Sequence, residues 1–113
     1  MSRLIYKVLS RDEAAQAHQQ GYFEGSEVDL NDGFIHFSNG EQLPITLARH
    51  FTDGDGKLRP DLVLWTVDAN RLGSSLKWEP SRGGEDFPHL YAPLNVTDVE
   101  GERDVAESDL RDS

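Results

Sequence analysis

The segment DLVLWTVD, residues 61–68, is an almost uninterrupted run of apolar side chains between two aspartates. A strand with one solvated face alternates apolar and polar residues, whereas a strand covered on both faces is apolar throughout. The segment therefore predicts a central strand with packed elements on both sides. A chain of 113 residues has room for one such core, so we expect a single domain.

Two helices and five further strands are predicted around the central strand. Ser10 and Glu13 form a capping-box pattern that begins the first helix, and Gly21 suits its left-handed end. Proline is tolerated only near a helix start, so Pro44 predicts that the second helix begins after Asn39. The other strands are predicted at residues 3–10, 33–38, 74–80, 89–96 and 99–105.

The order β-α-β-α-β-β-β-β predicts an α+β fold with a curved sheet that is mixed or antiparallel. The single domain is expected to span residues 1–105. The polar and charged residues 106–113 predict a disordered acidic tail. Between the elements, residues 22–33 are predicted as a loop. Residues 81–88 are predicted as a long irregular connection, of the kind that often carries function.

Charge and composition exclude several classes of function. The chain has 21 acidic and 11 basic residues, a net charge of −10, which repels phosphate backbones and anionic lipids. We therefore expect neither nucleic acid nor a membrane surface as a partner. The chain has no cysteine, and its TDGDGKL segment has Lys57 where a calcium loop needs an acidic ligand, so no metal site is predicted. The N-terminus lacks the pattern of a signal peptide or spanning helix, which favours a cytoplasmic location. We also expect the protein to be a monomer.

His36, in the segment DGFIHFS, is an ionisable ring inside an apolar strand that follows a tight turn. Strand alternation places Phe34, His36 and Ser38 on one face. If that face borders a cleft, the ring can hydrogen-bond a hydroxyl or transfer a proton. The competing interpretations are a buried histidine bonded to a backbone carbonyl, and a Ser38 that caps the following helix. Both interpretations stay open at this point.

A second group of candidates lies in the segments SRGGED and PHLY. His89 and Tyr91 are two residues apart, which places an imidazole and a phenol on one strand face. Arg82, beside two glycines, is a natural anchor for a phosphate or carboxylate, although a surface loop explains it equally well. His18 and His50 are interpreted as structural or solvent-facing residues of the two helices.

Four segments together resemble one protein family. IYKVLSRDE, DGFIHFS, LVLWTVDANRLGSSLKWE and FPHLYAPL match, in order, the domain-of-unknown-function family 952 over about Ile5 to Val105. GFIHFS and FPHLY are its most distinctive blocks, and the resemblance indicates a small bacterial protein. By fold similarity the family is placed near the ADP-ribosyltransferases and the RNA 2′-phosphotransferases.

That resemblance implies a split, curved sheet whose cleft holds NAD or an ADP-ribosyl group. Carried over by position, the catalytic candidates are His36, which would orient the substrate, together with His89 and Tyr91 from a later strand. The resemblance implies Lys7 and Ser38 as residues that bind the cofactor, and Arg82 joins them as an expected anchor because of its side-chain chemistry.

The chain departs from the family pattern at Lys7, where relatives have a histidine. Lysine cannot present the neutral donor and acceptor of an imidazole, although it can offer a positive charge to a phosphate. A catalytic glutamate is not identified, and Glu79 and Glu85 are candidates. Whether the protein is an enzyme is therefore open at this point.

One hypothesis is an ADP-ribosyltransferase-like domain that binds NAD or a related nucleotide. The alternative is a non-catalytic module for a small phosphorylated ligand or a protein partner, and a third is an interaction protein whose histidines are structural.

Overall fold

The computed structural model describes residues 3–81 and 84–110 and contains, within these ranges, eight strands and three α-helices. Strands β1 to β8 span Leu4–Ser10, Tyr22–Phe23, Ile35–His36, Leu62–Asp68, Leu76–Pro80, Asp86–Leu90, Leu94–Asn95 and Val99–Asp104. Helices α1 to α3 span Arg11–Gln20, Glu27–Asp32 and Leu43–His50. Of these helices, none has the length and apolar character that crossing a membrane requires.

The strands form three small antiparallel sheets. β4 lies between β1 and β8, β6 lies between β3 and β5, and β2 pairs with β7. A backbone bridge joins the first of these sheets to the second, because Tyr6 N donates to Ser38 O at 2.7 Å and Ser38 N donates to Tyr6 O at 2.9 Å. The predicted α+β class and antiparallel pairing are confirmed.

The apolar strand β4 is covered on both faces, as its composition predicts. Val63, Trp65 and Val67 belong to the larger core cluster, which also contains apolar residues of α1, β3 and β6. Leu62 and Leu64 belong to a second cluster, built on α3. The alternation of the strand thus divides the core into two layers, one on each side of β4.

The helix ends that were predicted from neighbouring residues are also found in the structure. Ser10 Oγ accepts from Glu13 N at 3.0 Å, and the Glu13 carboxylate accepts from Ser10 N at 2.8 Å. Gly21 ends α1 with φ +96°, a left-handed conformation that glycine adopts without strain. α3 begins at Leu43, after Asn39, with proline in its first turn. The helix start that Pro44 predicts is therefore confirmed.

The predicted loop at residues 22–33 was wrong, because it contains β2 and the helix α2. A helix of six residues is too short to show an apolar periodicity, so only its caps mark it. Those caps are the hydrogen bond from Ser26 N to the Asp29 carboxylate, at 2.9 Å, and the left-handed Gly33, with φ +88°. The chain accordingly has three α-helices in the described part rather than the two predicted.

Two C-terminal expectations also differ from the structure. The predicted strand at residues 89–96 is divided between β6 and β7, and β7 pairs with β2. Residues 106–110 of the predicted disordered tail include a turn of 3₁₀ helix, Glu107–Leu110, and the guanidinium of Arg103 donates to Asp109 at 2.8 and 2.9 Å. Leu110 packs against the second core cluster, the one built on α3, and this contact attaches the C-terminal turn to the domain. Residues 111–113 lie outside the described residues.

Leu47 tests the second core layer because its side chain is fully buried between α3 and β4. Leu47→Ala should lower the free energy of unfolding by about 2–5 kcal/mol, since it removes apolar contacts and leaves a cavity. Urea denaturation measures this change. Ile45→Ala on the same helix is the matched control, because Ile45 is 51% exposed and its loss should cost about 0.5 kcal/mol or less. Equal losses in the two variants would contradict the assignment of α3 to the core.

Candidate functional site

A cavity of about 570 Å³ lies where β1, α2, β3, α3 and β6 meet. Its volume is within the usual range for a small-molecule site. Apolar side chains of α2 and α3 stand at its edge, with Val28 62% and Ile45 51% exposed. The polar side chains that line it are Lys7, Ser26, Asp29, Asp32, His36, Ser38, Gln42, Thr46, Arg49, His50, Ser81, Glu85 and His89, with Tyr6 beside them.

His36 and His89 are brought together on one wall of this cavity. They are direct partners in the antiparallel register of β3 and β6, so their side chains lie on the same face of the sheet. Their ring centroids are 5.5 Å apart and the rings are nearly perpendicular, at 69°. The two imidazoles that the sequence placed on separate strands therefore border a single hollow.

Asp29, which the sequence analysis did not single out, lies at the centre of the polar network. Its carboxylate is buried and accepts four hydrogen bonds. Oδ2 accepts from Lys7 Nζ at 2.8 Å and from Ser26 N at 2.9 Å. Oδ1 contacts His36 Nδ1 at 2.6 Å and accepts from His36 N at 3.1 Å. One side chain of α2 thus holds β1 and β3 in place.

The environment of Asp29 keeps it ionised. Burial by itself raises the pKa of a carboxyl group, but the hydrogen bond from His36 and the charge of Lys7 outweigh burial, so the pKa of Asp29 is held well below its usual range. Burial lowers the pKa of Lys7, and the neighbouring Asp29 partly offsets that effect. The pair is a buried salt bridge at neutral pH, and the Lys7 ammonium is engaged by protein rather than free for a ligand phosphate.

His36 bridges two carboxylates. While Nδ1 contacts Asp29, Nε2 lies 3.0 Å from an oxygen of Asp32, the last residue of α2. Both contacts are hydrogen bonds at the same time only when both ring nitrogens carry protons. Both nitrogens of His36 are therefore engaged within the protein, and Asp32, which is half-exposed, stands between the ring and the solvent side of the cavity.

His89 has a different environment. Its Nδ1 lies 2.9 Å from Glu79 Oε1, and Tyr91 donates its phenol proton to the same oxygen at 2.7 Å. The hydrogen bonds from Tyr91 and His89 lower the pKa of Glu79, and the same contact raises the pKa of Tyr91. Phe34 stacks on the His89 ring, with centroids 4.1 Å apart and planes inclined by 28°. Tyr91 itself is not among the residues that line the cavity.

The remaining predicted site residues divide into three groups. Ser38 is buried at the cavity wall, and its hydroxyl pairs with Thr46 Oγ1 at 2.8 Å. It does not cap α3, whose N-cap position is Gln42. Of the two candidate glutamates, Glu85 lines the cavity and Glu79 does not. Arg82 lies outside the described residues.

The network contains residues that sequence reasoning missed, above all Asp29 and Asp32. The only signal for Asp29 was the serine three residues before it, which is typical of a helix N-terminus. Nothing local in the sequence indicates that a capping carboxylate also binds a lysine 22 residues away. In the part of the chain that the structure describes, no cluster of three or more histidine, aspartate or glutamate side chains is arranged to hold a metal ion.

A second depression, of about 540 Å³, lies beside α1 and β8. Its charged groups are paired with one another, since Arg11 contacts Asp104 at 2.6 Å and His18 contacts Glu102 at 2.6 Å. Glu102 also accepts from the indole nitrogen of Trp65 at 2.7 Å. These contacts explain the residues structurally, so the cavity at His36 and His89 is the candidate functional site.

Gly25 shapes the site by allowing the chain to pass close to Asp29. Its φ is +124°, and a Cβ at this position would lie 2.7 Å from Asp29 Cβ. Gly25→Ala should lower the free energy of unfolding by more than about 2 kcal/mol, because backbone strain and overpacking add. Gly21→Ala is the matched control, since it has φ +96° with nothing within 4 Å and should cost about 1 kcal/mol. Thermal unfolding of the two variants measures the difference, and equal destabilisation would argue against the close approach.

Asp29→Asn tests the buried salt bridge. The variant leaves the Lys7 ammonium buried without its carboxylate, and it should lower the free energy of unfolding at pH 7 by about 3–5 kcal/mol. Because the pKa of Asp29 is lower in the folded state, its contribution is complete above about pH 4 and is lost as the pH falls below that value.

Urea denaturation of both proteins at pH 7, 5 and 3 measures this pH dependence. The difference in the free energy of unfolding between the native protein and Asp29→Asn should be smaller at pH 3 than at pH 5. Glu24→Gln, an exposed charge change in the preceding loop, should leave stability nearly unchanged. A difference that does not decrease in acid would show that Asp29 is not ionised in the folded protein.

Comparison with known proteins places the chain in a family. The family model described as "Protein of unknown function (DUF952)" matches residues 8–102. The crystal structure of protein CC0527 from Caulobacter crescentus is 55% identical, with a TM-score of 0.83, and the match covers 89% of this chain and 84% of that one. The solution NMR structure of CC0527 gives 55% identity and a TM-score of 0.76, over 89% of this chain and 83% of that one. No curated protein matches the chain. The chain therefore belongs to the DUF952 family.

Proposed function

We propose that the cavity binds a nucleotide of the NAD or ADP-ribose class. The observation that carries the proposal is the pair of facing imidazoles, His36 and His89, on the wall of a cavity of about 570 Å³. Each ring contacts a carboxylate, which orients it before a ligand arrives. The resemblance to ADP-ribosyltransferase-like domains, which the sequence suggests, supports this class of ligand.

The chemistry of the cavity suits such a ligand in three respects. The second ring nitrogen of His89 and the Ser38 and Thr46 hydroxyls can hydrogen-bond ribose hydroxyls. Phe87, which is half-buried at the wall, offers an apolar surface to a planar ring. Arg49, exposed in the last turn of α3, can anchor a pyrophosphate group. The cationic groups at the cavity allow an anion to bind although the whole chain carries a net charge of −10.

A second candidate, binding without catalysis, is favoured by a specific observation. The Lys7 ammonium and both nitrogens of His36 are already engaged by aspartates. Cleavage of the nicotinamide–ribose bond passes through a state with oxocarbenium character, and a carboxylate near the ribose would stabilise it. Glu85, at the cavity wall, is the glutamate available for that role. If it does not reach the ribose, the domain holds the nucleotide and releases it unchanged.

Titration with NAD and with ADP-ribose, followed by NMR of the histidine ring signals, tests the binding proposal. Both ligands should shift the ring signals of His36 and His89 and leave those of His18, outside the cavity, in place. His89→Ala should weaken binding about tenfold, as expected when one hydrogen bond to an anionic ligand is lost. His18→Ala is the matched control and should bind as the native protein does. Unchanged His36 and His89 signals at millimolar NAD and ADP-ribose would exclude this ligand class.

Prolonged incubation with NAD separates the enzyme from the binding module. Release of nicotinamide, measured chromatographically and abolished in His36→Ala, would favour the transferase-like chemistry. Binding of NAD without nicotinamide release would favour the non-catalytic module.

A further inference from the structure

His36 and His89 are partners in the sheet register, but their ring nitrogens are used differently. Both nitrogens of His36 contact carboxylate oxygens, from Asp29 and Asp32. The His89 ring contacts a carboxylate only through Nδ1, at Glu79. Among residues 3–81 and 84–110, no group is hydrogen-bonded to Nε2 of His89. In this pair, both ring nitrogens of His36 contact carboxylates, whereas His89 does so only through Nδ1 and its Nε2 is the reserved nitrogen.

The contacts of the His89 ring indicate which of its edges is turned to the cavity. The His89 ring lines the cavity, whereas Glu79 and Tyr91, which hold its Nδ1 side, do not. Within the described residues, every buried side-chain nitrogen or oxygen has a hydrogen-bond partner. A nitrogen without such a partner is therefore not sealed in the core but reachable from the cavity. The side chain as a whole is only 6% exposed, so bulk solvent approaches it from few directions.

The carboxylate of Glu79 determines which nitrogen of the His89 ring carries the proton. A carboxylate can only accept, so Nδ1 must hold the proton of this contact. In the neutral ring, Nε2 then has a free lone pair and acts as an acceptor. Tyr91 donates to the same oxygen of Glu79, which fixes the carboxylate, and Phe34 stacks on the ring and restricts its rotation. Three side chains therefore orient one nitrogen towards the cavity.

We propose that His89 accepts a hydrogen bond from a ligand hydroxyl through Nε2, and that Glu79 is the positioning residue that sets the required tautomer. The expected partner is a sugar hydroxyl, because an acceptor on a cavity wall selects a donor group. His36, in contrast, ties α2 to β3 through its two aspartates and does not contact the ligand through an unoccupied nitrogen. The ligand part of this inference rests on the proposed function of the cavity, whereas the tautomer does not.

The tautomer is tested in the ligand-free protein by ¹⁵N NMR of the imidazole nitrogens. At about pH 8.5, roughly two units above the usual imidazole pKa, the ring of His89 should carry its proton on Nδ1. Glu79→Ala removes the acceptor and should shift the proton to Nε2. Glu79→Gln keeps an acceptor oxygen and should retain the native tautomer. Glu24→Ala is the matched control, because Glu24 is an exposed glutamate outside the cavity and its loss should leave the tautomer of His89 unchanged.

Titration of the same four proteins with ADP-ribose tests the hydroxyl contact. The Nε2 signal of native His89 should move most on binding. Glu79→Ala should weaken binding about tenfold, while Glu79→Gln should change it less than threefold and Glu24→Ala should leave it unchanged. Because Glu79 is part-exposed, the variants should fold, which the unchanged chemical shifts of the core would verify.

The tautomer and the hydroxyl contact can fail independently of each other. A native His89 ring with its proton on Nε2, or with protons on both nitrogens at about pH 8.5, overturns the inference whether or not ADP-ribose binds. Retention of the Nδ1 proton in Glu79→Ala overturns it equally, because Glu79 would then not set the tautomer. The expected tautomers together with no ADP-ribose binding support the role of Glu79 and count against the proposed nucleotide. ADP-ribose binding that leaves the Nε2 signal unmoved overturns the hydroxyl contact.

Discussion

The buried carboxylate of Asp29 organises the site. It is anchored to Lys7 on β1, to His36 on β3 and to the backbone of Ser26 at the start of its own helix. Burying a carboxylate costs free energy unless hydrogen bonds satisfy its lone pairs. Here each of the two oxygens of Asp29 accepts two hydrogen bonds. Because those donors come from three different elements, the ionised state of Asp29 is only satisfied when all three elements are in place.

This dependence explains why a helix of six residues persists at the edge of the cavity. α2 has two exposed apolar side chains, Val28 and Leu30, at 62% and 60%, so burial of its apolar surface contributes little to holding it. Its attachment comes instead from Asp29 and, through His36, from Asp32. A buried ion pair is often no more stabilising than apolar residues of the same size. Its value here lies in fixing the orientation of the ring between the two carboxylates.

Sequence reasoning succeeded where the determining interactions are local. The apolar composition of β4 predicts its central place, and the bond between Ser10 and Glu13 predicts the start of α1, because both signals lie within one element. Alternation along DGFIHFS places His36 and Ser38 on one face, and both residues line the cavity, although Phe37 also lines it and Phe34 does not. These inferences needed no knowledge of which strands pair.

The parts that failed depend on contacts distant in sequence. Lys7 and Asp29 are 22 residues apart, and no pattern in either segment names the other. The pairing of His36 with His89 follows from the register of β3 and β6, which a single sequence does not determine. The different contacts of the two rings are harder still to predict from the sequence, since they depend on a glutamate from β5. The sequence thus identified the two histidines of the candidate site, but neither the aspartates that contact His36 nor the different contacts of the two rings.

The backbone bridge between Tyr6 and Ser38 has a consequence for how such a cavity can diversify. The wall carrying Lys7 and the wall carrying His36 are fastened by two peptide hydrogen bonds, which are independent of side-chain identity. The distance between the two walls is therefore set by main-chain hydrogen bonds. Replacing a residue that lines the cavity changes the chemistry of the cavity more than its width. A homologous chain that keeps these two hydrogen bonds can replace side chains of the cavity while the spacing of the two strands is retained.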